Sequence, residues 1–588
     1  MSDSSRAKRL LLNLSGRRLP TGSQLKHLPK FLSEKEKVTI ALLVTAIIIA
    51  LGSIAVRYIW SNIGEVPAAG GTYTEASVGG PRFANPILAS TNDADLDIVK
   101  LVFSGLMRTD SHGAIVPDLA ESYEIDDEGK TYTFELKSGV TWHDGAPLTA
   151  YDVVATFSYI RDPSWKSPLL AQFRNVLVEA TSDRTVVFQL DEPFAPFLSL
   201  LTVGIVPEHL WQEIVPGDAS RAELNIKPVG TGPFRFKNFT KDKNGAIRSY
   251  SVTRYSEYYG TQPLLNEITF TFYADFSLAA EALIDKKVDG LSFLPLEFRE
   301  AVDAVSSLRT YTFRLPQYTA LFLNQSRNDL LKGDHIREAM ALALDKEDLL
   351  RQTLGYSGVP VHGPILPGFV GFHPDVKKYD QDLKRAVELL EDNNWTLNTD
   401  GVRTKNIKGA DGEMIETPLA MTITTVDAQE NITVAQIIKR SWESIGIQAE
   451  LEIVPASRIQ QDKIRPRDYD VLLYGEIIGP DPDPYPFWHS SQNEGSGLNL
   501  AVFSNRKVDE LLEKARATTD EETRAELYEE FQDILAEDLP AIFLYSPTYT
   551  YAVDRRVQGI ETGTIFAPAD RFMEVKKWYV KTKRVWRE

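Results

Sequence analysis

Trp142-His143-Asp144-Gly145 sets an imidazole beside a carboxylate, the combination a general acid–base site uses. Gly145 and Pro147 demand a tight turn there, and a helix-capping box follows at Thr149-Ala150-Tyr151-Asp152, so the segment reads as a structural turn. Asp93, Asp95 and Asp97 have the alternate spacing that opens a calcium loop, but the sixth and twelfth positions are Ile98 and Ser104 instead of Gly and Glu. That acidic run is expected to be a solvated face near a helix start. Gly230-Thr231-Gly232-Pro233 is too short for a phosphate loop and lacks its Lys-Ser/Thr ending, which leaves a strand-entry turn. The eight histidines are scattered without an HExxH pair, and no G-x-S-x-G elbow occurs. With no cysteine there is no thiolate cluster, disulfide or cysteine nucleophile. Neither a catalytic residue, a metal site nor a cofactor is expected.

From Tyr474 to His489, Pro480, Pro482 and Pro484 alternate with Asp481 and Asp483. No strand or helix continues through such a stretch, so it is an ordered loop leaving a buried strand at Val471, Leu472 and Leu473.

The elements that hold these residues alternate between strand and helix. Tyr132, Phe134 and Leu136 have period two, and Val153, Phe157 and Ile160 then fall at i, i+4 and i+7 behind the Thr149 cap. Leu419, Met421 and Ile423, a helical stretch from about 428 to 445, and Ala449, Leu451 and Ile453 form a βαβ unit with parallel pairing. A last helix is expected to open at Thr519, with Glu522 as capping-box partner, and to stop at Pro540. The body is α/β. The 588 residues, at 43% apolar, amount to roughly four units of about 150 residues, so more than one lobe is expected.

Charge is spread unevenly. Residues 1–37 carry nine basic and three acidic side chains, whereas the chain beyond Arg57 has a net charge of −25, the wrong sign for a nucleic-acid binder. Between them, Val38 to Val56 is a run of 19 uncharged residues that nearly matches a hydrocarbon core of about 30 Å. The positive-inside rule puts 1–37 in the cytoplasm as a basic tail, 38–60 in the membrane, and everything after a 61–71 linker outside. Ala68-Ala69-Gly70 offers small residues for cleavage, but both the basic region and the apolar run are long for a signal peptide, which favours an uncleaved single-pass anchor. Attraction to anionic inner-leaflet lipid is the simplest role for the tail.

Several segments together resemble the extracellular solute-binding proteins of family 5, the peptide, dipeptide and nickel receptors of ABC importers. They are Val102 to Pro117, Asp118-Leu119-Ala120-Glu121-Ser122-Tyr123, and above all Trp142 to Val153. Phe194 to Leu198, Ile205 to Leu210, Pro228 to Phe234, Leu323-Asn324, Ile336 to Asp345, Tyr469-Asp470 and Asp483-Pro484 follow in the family's order, so that the likeness spans about 70 to 553. The resemblance implies a two-lobed clamp of the periplasmic-binding-protein type. Lobe I would be assembled from 72–95, 229–314 and 541–588, a domain at 96–228 would be inserted in it, and lobe II would be 315–540. Two crossing strands would be the hinge. It further implies a monomer that closes on its ligand and presents it to two permease subunits and their ATPases.

In peptide receptors of this kind, the loop after the buried strand supplies a carboxylate for the ligand's α-amine, since a buried ammonium left unpaired costs several kcal/mol. This sequence departs from that pattern. Pro480 stands where those receptors place the Asp, and Glu476 replaces the usual upstream Trp. Asp481 or Glu476 is expected to take the role, with Tyr474 and Trp488 lining the cleft, and Asp483 and Asn324 completing the substrate-binding set. The plainer alternative is that the acids cap turns and the aromatics are core. The leading function is capture of di- or oligopeptides without covalent chemistry. The alternatives are an oligosaccharide or metal chelate on the same scaffold, a surface hydrolase, and a membrane sensor or chaperone.

Overall fold

The structure is a computed structural model that describes residues 32–89, 92–355, 357–408 and 413–586. The basic tail expected at 1–37 lies outside the described residues except for 32–37. The chain divides into two compact units, one of 1–68 with 581–588 and one of 69–580.

The first unit is built on the helix Glu34–Asn62, 29 residues long, with a mean hydropathy of 2.6 over its most apolar stretch and none of that stretch buried. It is long and apolar enough to cross a membrane. Its start is fixed by reciprocal bonds: the Ser33 N–H donates to the Glu36 carboxylate at 2.8 Å, and the Glu36 N–H donates to the Ser33 hydroxyl at 3.4 Å. The chain leaves it as the strand Ile63–Ala68, which pairs antiparallel with Lys581–Trp586. Residues 63–68 of the expected linker are therefore a paired strand.

The second unit is organised by a sheet of twelve strands. Its βαβ unit is as expected: Ala420–Val426 and Gln448–Val454 run parallel, joined by the helix Gln429–Ser444. Val471–Ile477 and Gln317–Leu323 continue the sheet to Ala541–Asp554, a strand of 14 residues. That strand changes partners midway. Its first residues pair with Gln317–Leu323, and residues 548–554 pair with Leu308–Arg314. Beyond it lie Gly290–Leu291, Thr72–Val78, Glu267–Tyr273, Ile247–Arg254 and Phe234–Lys241. The passages at 314–317 and 545–548 are thus where two strands cross between two lobes, the α/β clamp architecture expected from the sequence.

Each lobe has its own apolar interior. Leu321, Met340, Ile423, Trp442 and Leu473 pack together on one side. On the other, Tyr73 and Phe270 share a core with Phe134 and Phe188 of a four-stranded sheet. Val153, Phe157 and Ile160 of the helix Ala150–Arg161 are fully buried there. Asp152 holds its start, accepting from the Thr149 N–H at 2.8 Å and from the Glu208 N–H at 2.9 Å.

The Trp142 to Gly145 segment is the structural turn anticipated. The Gly145 N–H donates to the Trp142 carbonyl at 2.9 Å, with Gly145 at φ 93°. His143 is buried; its Nδ1 accepts from the Gly230 N–H at 3.2 Å and its Nε2 lies 3.0 Å from the Gly232 carbonyl. Burial lowers its pKa to about 4 and keeps it neutral, which that pair of bonds requires. A Cβ at Gly230 would lie 2.0 Å from the Val102 carbonyl oxygen, so only glycine lets this turn approach the end of the helix Asp93–Val102.

Two expectations are corrected. The acidic run at 93–97 is not a solvated face. Asp93 is exposed, but Asp95 accepts backbone N–H groups of Arg82 and Phe83, and Asp97 is buried against Arg571 from the far end of the chain. The last helix is Glu521–Asp538, and Asp520, not Thr519, caps it by accepting from the Thr523 N–H at 2.8 Å. A carboxylate at the N-cap also complements the positive end of the helix dipole, which a Thr hydroxyl does not.

Candidate functional site

The loop after Val471–Ile477 starts at the hinge, where the Ile478 N–H donates to the Pro316 carbonyl at 2.7 Å. Its prolines carry it to the gap between the lobes. There, Pro480, Asp481 and Pro482 form one wall of a cavity of about 540 Å³. His112, Tyr123, Leu198, Arg314 and Phe566 face them. A second cavity of about 320 Å³ shares Pro480 and Phe566 and is lined by Lys100, Arg108, Asp118 and Lys576. Both volumes suit a small solute.

The loop's two acids are already engaged. Arg524 grips Asp481 with both guanidinium ends, Nη1 to Oδ2 at 2.7 Å, and also donates to the Tyr528 hydroxyl at 3.1 Å. Arg516 Nε donates to Asp483 Oδ2 at 2.9 Å, while burial pushes the Asp483 pKa up against that pairing. Arg516 also closes the mouth of the gap. Its guanidinium lies 4.1 Å from the Tyr485 ring and 5.0 Å from the Phe194 ring, and its carbonyl accepts from the Ala195 N–H at 2.9 Å. Phe369 meets Phe566 edge-on at 6.0 Å across the same gap.

The other residues expected from the sequence lie behind this wall. Glu476 is opposite Tyr318 in the sheet, buried, and accepts a bond from the Tyr318 hydroxyl. Burial holds its pKa well above the usual carboxylate range. Its Oε1 and the Trp488 Nε1 have no partner among the described residues. Trp488 is 1% exposed, 5.8 Å from the Phe543 ring and 6.2 Å from Phe322. Tyr474 is half-buried against the same core. Asn324 closes a turn, donating to the Arg467 carbonyl at 3.0 Å and accepting from the Ser326 N–H at 3.1 Å. Of the six, Asp481 alone lines either cavity.

Glu476→Gln separates a ligand contact from a buried strut. Gln also accepts the Tyr318 bond, so ligand affinity should stay within about twofold of the parent. An acid with a raised folded pKa contributes stability that is complete below its unfolded pKa and is lost as pH rises. Denaturant midpoints should therefore show the Gln chain gaining more at pH 8 than at pH 5. A tenfold loss of affinity would make Glu476 a ligand contact after all.

Sequence reasoning missed the basic groups of the smaller cavity. Lys100 is paired with Asp570 at 2.6 Å, and Asp118 accepts from the Tyr259 hydroxyl at 2.7 Å. The side chains of Arg108 and Lys576 have no hydrogen bond or ion pair among the described residues, and burial, followed by the Arg108 charge, lowers the Lys576 pKa against the weaker pull of Glu574 and Asp118. Arg108 lies within the segment Val102 to Pro117, but neither its spacing nor that of the Lys576-Lys577 pair marks it as part of a site.

Residues 114–497 match the family model described as bacterial extracellular solute-binding proteins, family 5 Middle. The oligopeptide-binding protein AppA of Bacillus subtilis is 28% identical over 522 residues, which cover 87% of this chain and 92% of that protein. The solved structure of AppA with a nonapeptide superposes with a TM-score of 0.68 at 27% identity, covering 88% of this chain and 100% of that one. NikZ from Campylobacter jejuni, in complex with Ni(L-His), gives a TM-score of 0.70 at 26% identity, covering 86% and 99%. With a family match over most of its body and a cleft between two lobes, this chain belongs to the bacterial extracellular solute-binding proteins of family 5.

Proposed function

We propose that the chain is the extracytoplasmic receptor of an ABC importer, held to the membrane by the helix Glu34–Asn62, and that it captures short peptides through a free carboxylate. The lobes divide as the sequence suggests up to residue 580, with 96–228 inserted in a lobe I of 72–95, 229–314 and 541–580, and 315–540 as lobe II; 581–586 pair with 63–68 instead. Closure brings the ligand against both lobes, since only a ligand that contacts the closed form more strongly shifts the equilibrium. The closed form is what the permease subunits receive. Binding without covalent chemistry agrees with a family and relatives that are binding proteins.

One observation carries the ligand class: the Arg108 and Lys576 side chains line a cavity without an ion pair among the described residues, and the nearby carboxylate whose charge reaches both, Asp118, is buried and shared between them. Cations left unpaired in a partly desolvated site are costly unless an anion arrives. A peptide carboxylate supplies it. The Asp481–Arg524 pair then meets the ligand in the larger cavity as a neutral pair, and Tyr474, Glu476, Asp483, Trp488 and Asn324 hold the loop in place.

The test offers the full chain, in detergent, a tetrapeptide library as free acids and the same library as C-terminal amides, read by native mass spectrometry. Acids should be retained at least about tenfold more strongly than amides, a difference of about 1.4 kcal/mol. Arg108→Gln with Lys576→Gln should erase that preference. Equal retention of acids and amides would remove the carboxylate reading and leave the peptide reading standing. Retention of neither would remove both, and cleavage products would remove the binding-only reading.

A further inference from the structure

We infer that the antiparallel ribbon of Ile63–Ala68 and Lys581–Trp586 is a docking surface for the headgroups of anionic phospholipid on the body's side of the membrane. The inference rests on the reading of Glu34–Asn62 as a membrane anchor. The uncharged run ends at Val56, and the aromatic and basic residues begin at once: Arg57, Tyr58 and Trp60. Tyr58 is 63% exposed and Trp60 74%. The ribbon adds Trp586, which is 57% exposed, stands opposite Ile63 and lies 6.4 Å from the Tyr58 ring. Amphipathic rings at the end of an apolar helix belong at the headgroup level, which places the Trp586 end of the ribbon there.

The ribbon's charge supplies the chemistry of its partner. Lys581, Lys583 and Arg584 are exposed, and Glu65, 3.5 Å from Arg584, is the one acid among the described residues of the two strands. This reverses the sign of the strongly acidic chain it terminates, so the ribbon is drawn to anionic headgroups and not to a neutral surface. At about 3.4 Å per residue, Lys583 lies about 10 Å along the strand from Trp586, close to one Debye length at physiological salt. A two-stranded sheet standing alone is marginal in water, and these strands pair with no others among the described residues. A lipid interface would cover one of its faces.

The absence of native cysteine makes Thr582→Cys a unique spin-label site that removes no charge. The labelled full chain is placed in nanodiscs of phosphatidylcholine, alone or mixed with phosphatidylglycerol, and collision with a water-soluble nickel complex is measured. The label should be protected at least about threefold more in the anionic discs. Lys581→Gln, Lys583→Gln and Arg584→Gln together should abolish the difference, and Glu65→Gln should enlarge it. Equal accessibility in both discs, with the protein inserted, would overturn the docking surface and leave the anchor intact. A chain that does not enter the discs at all would overturn both.

Discussion

Arg571→Met is expected to destabilise the fold by about 3–5 kcal/mol, because it leaves two buried carboxylates facing each other without their cation. Arg571 is 2% exposed and donates to both oxygens of Asp97, Nη1 to Oδ1 at 2.7 Å and Nη2 to Oδ2 at 2.5 Å. Its Nε donates to Glu75 Oε1 at 3.1 Å, and the hydroxyls of Tyr73 and Tyr551 each donate to Glu75 Oε2 at 2.6 Å. Burial pushes the Asp97 pKa up to about 7 even with Arg571 opposing it. A raised acid contributes stability below its unfolded pKa of about 3.9, and that contribution disappears as pH rises through about 7. Without the guanidinium Asp97 holds its proton more tightly still, so the variant should lose more at pH 8 than at pH 5. Urea midpoints at the two pH values decide it. A loss below about 1 kcal/mol, equal at both, would show that the network contributes little.

Arg516→Ala should weaken capture of ligand about tenfold while the lobes themselves stay folded. The side chain stacks on Phe194 across the gap and on Tyr485 beside it, and neutralises Asp483. Each stacking contact is worth about 0.5–2 kcal/mol, and these act only when the mouth is shut. Removing them lowers the fraction of molecules in the binding-competent form, and apparent affinity falls by that fraction. X-ray scattering of the free variant should show a larger radius of gyration. Arg516→Lys keeps a charge for Asp483 but loses the planar face, so it should fall between. Unchanged affinity and scattering would mean that the ligand alone determines closure.

What was legible in the sequence was local. The helix behind Thr149, the βαβ unit at 420–454 and the proline-rich loop follow from spacing within a few residues, and the structure has them all. The state of the acids was not legible, because their partners are remote. Asp97 meets Arg571 at a separation of 474 residues, and Asp481 meets Arg524 at 43. Read alone, each is an exposed carboxylate. Burial decides between ligand contact and structural pair, and burial depends on how the lobes assemble. The ribbon is the extreme case, since Pro67 and the glycines near 70 predict an irregular linker until residues 581–586 arrive to pair with it.

The strand Ala541–Asp554 has a consequence for the order in which the protein is made. Both interiors are seamed by it, through Gln317–Leu323 on one side and Leu308–Arg314 and Gly290–Leu291 on the other. A nascent chain therefore completes neither half until residues 541–554 have emerged from the ribosome, however much of its N-terminal portion is already out. It remains pliable until then, and a premature stop before about 541 should yield a product with no finished half instead of one sound lobe and one missing.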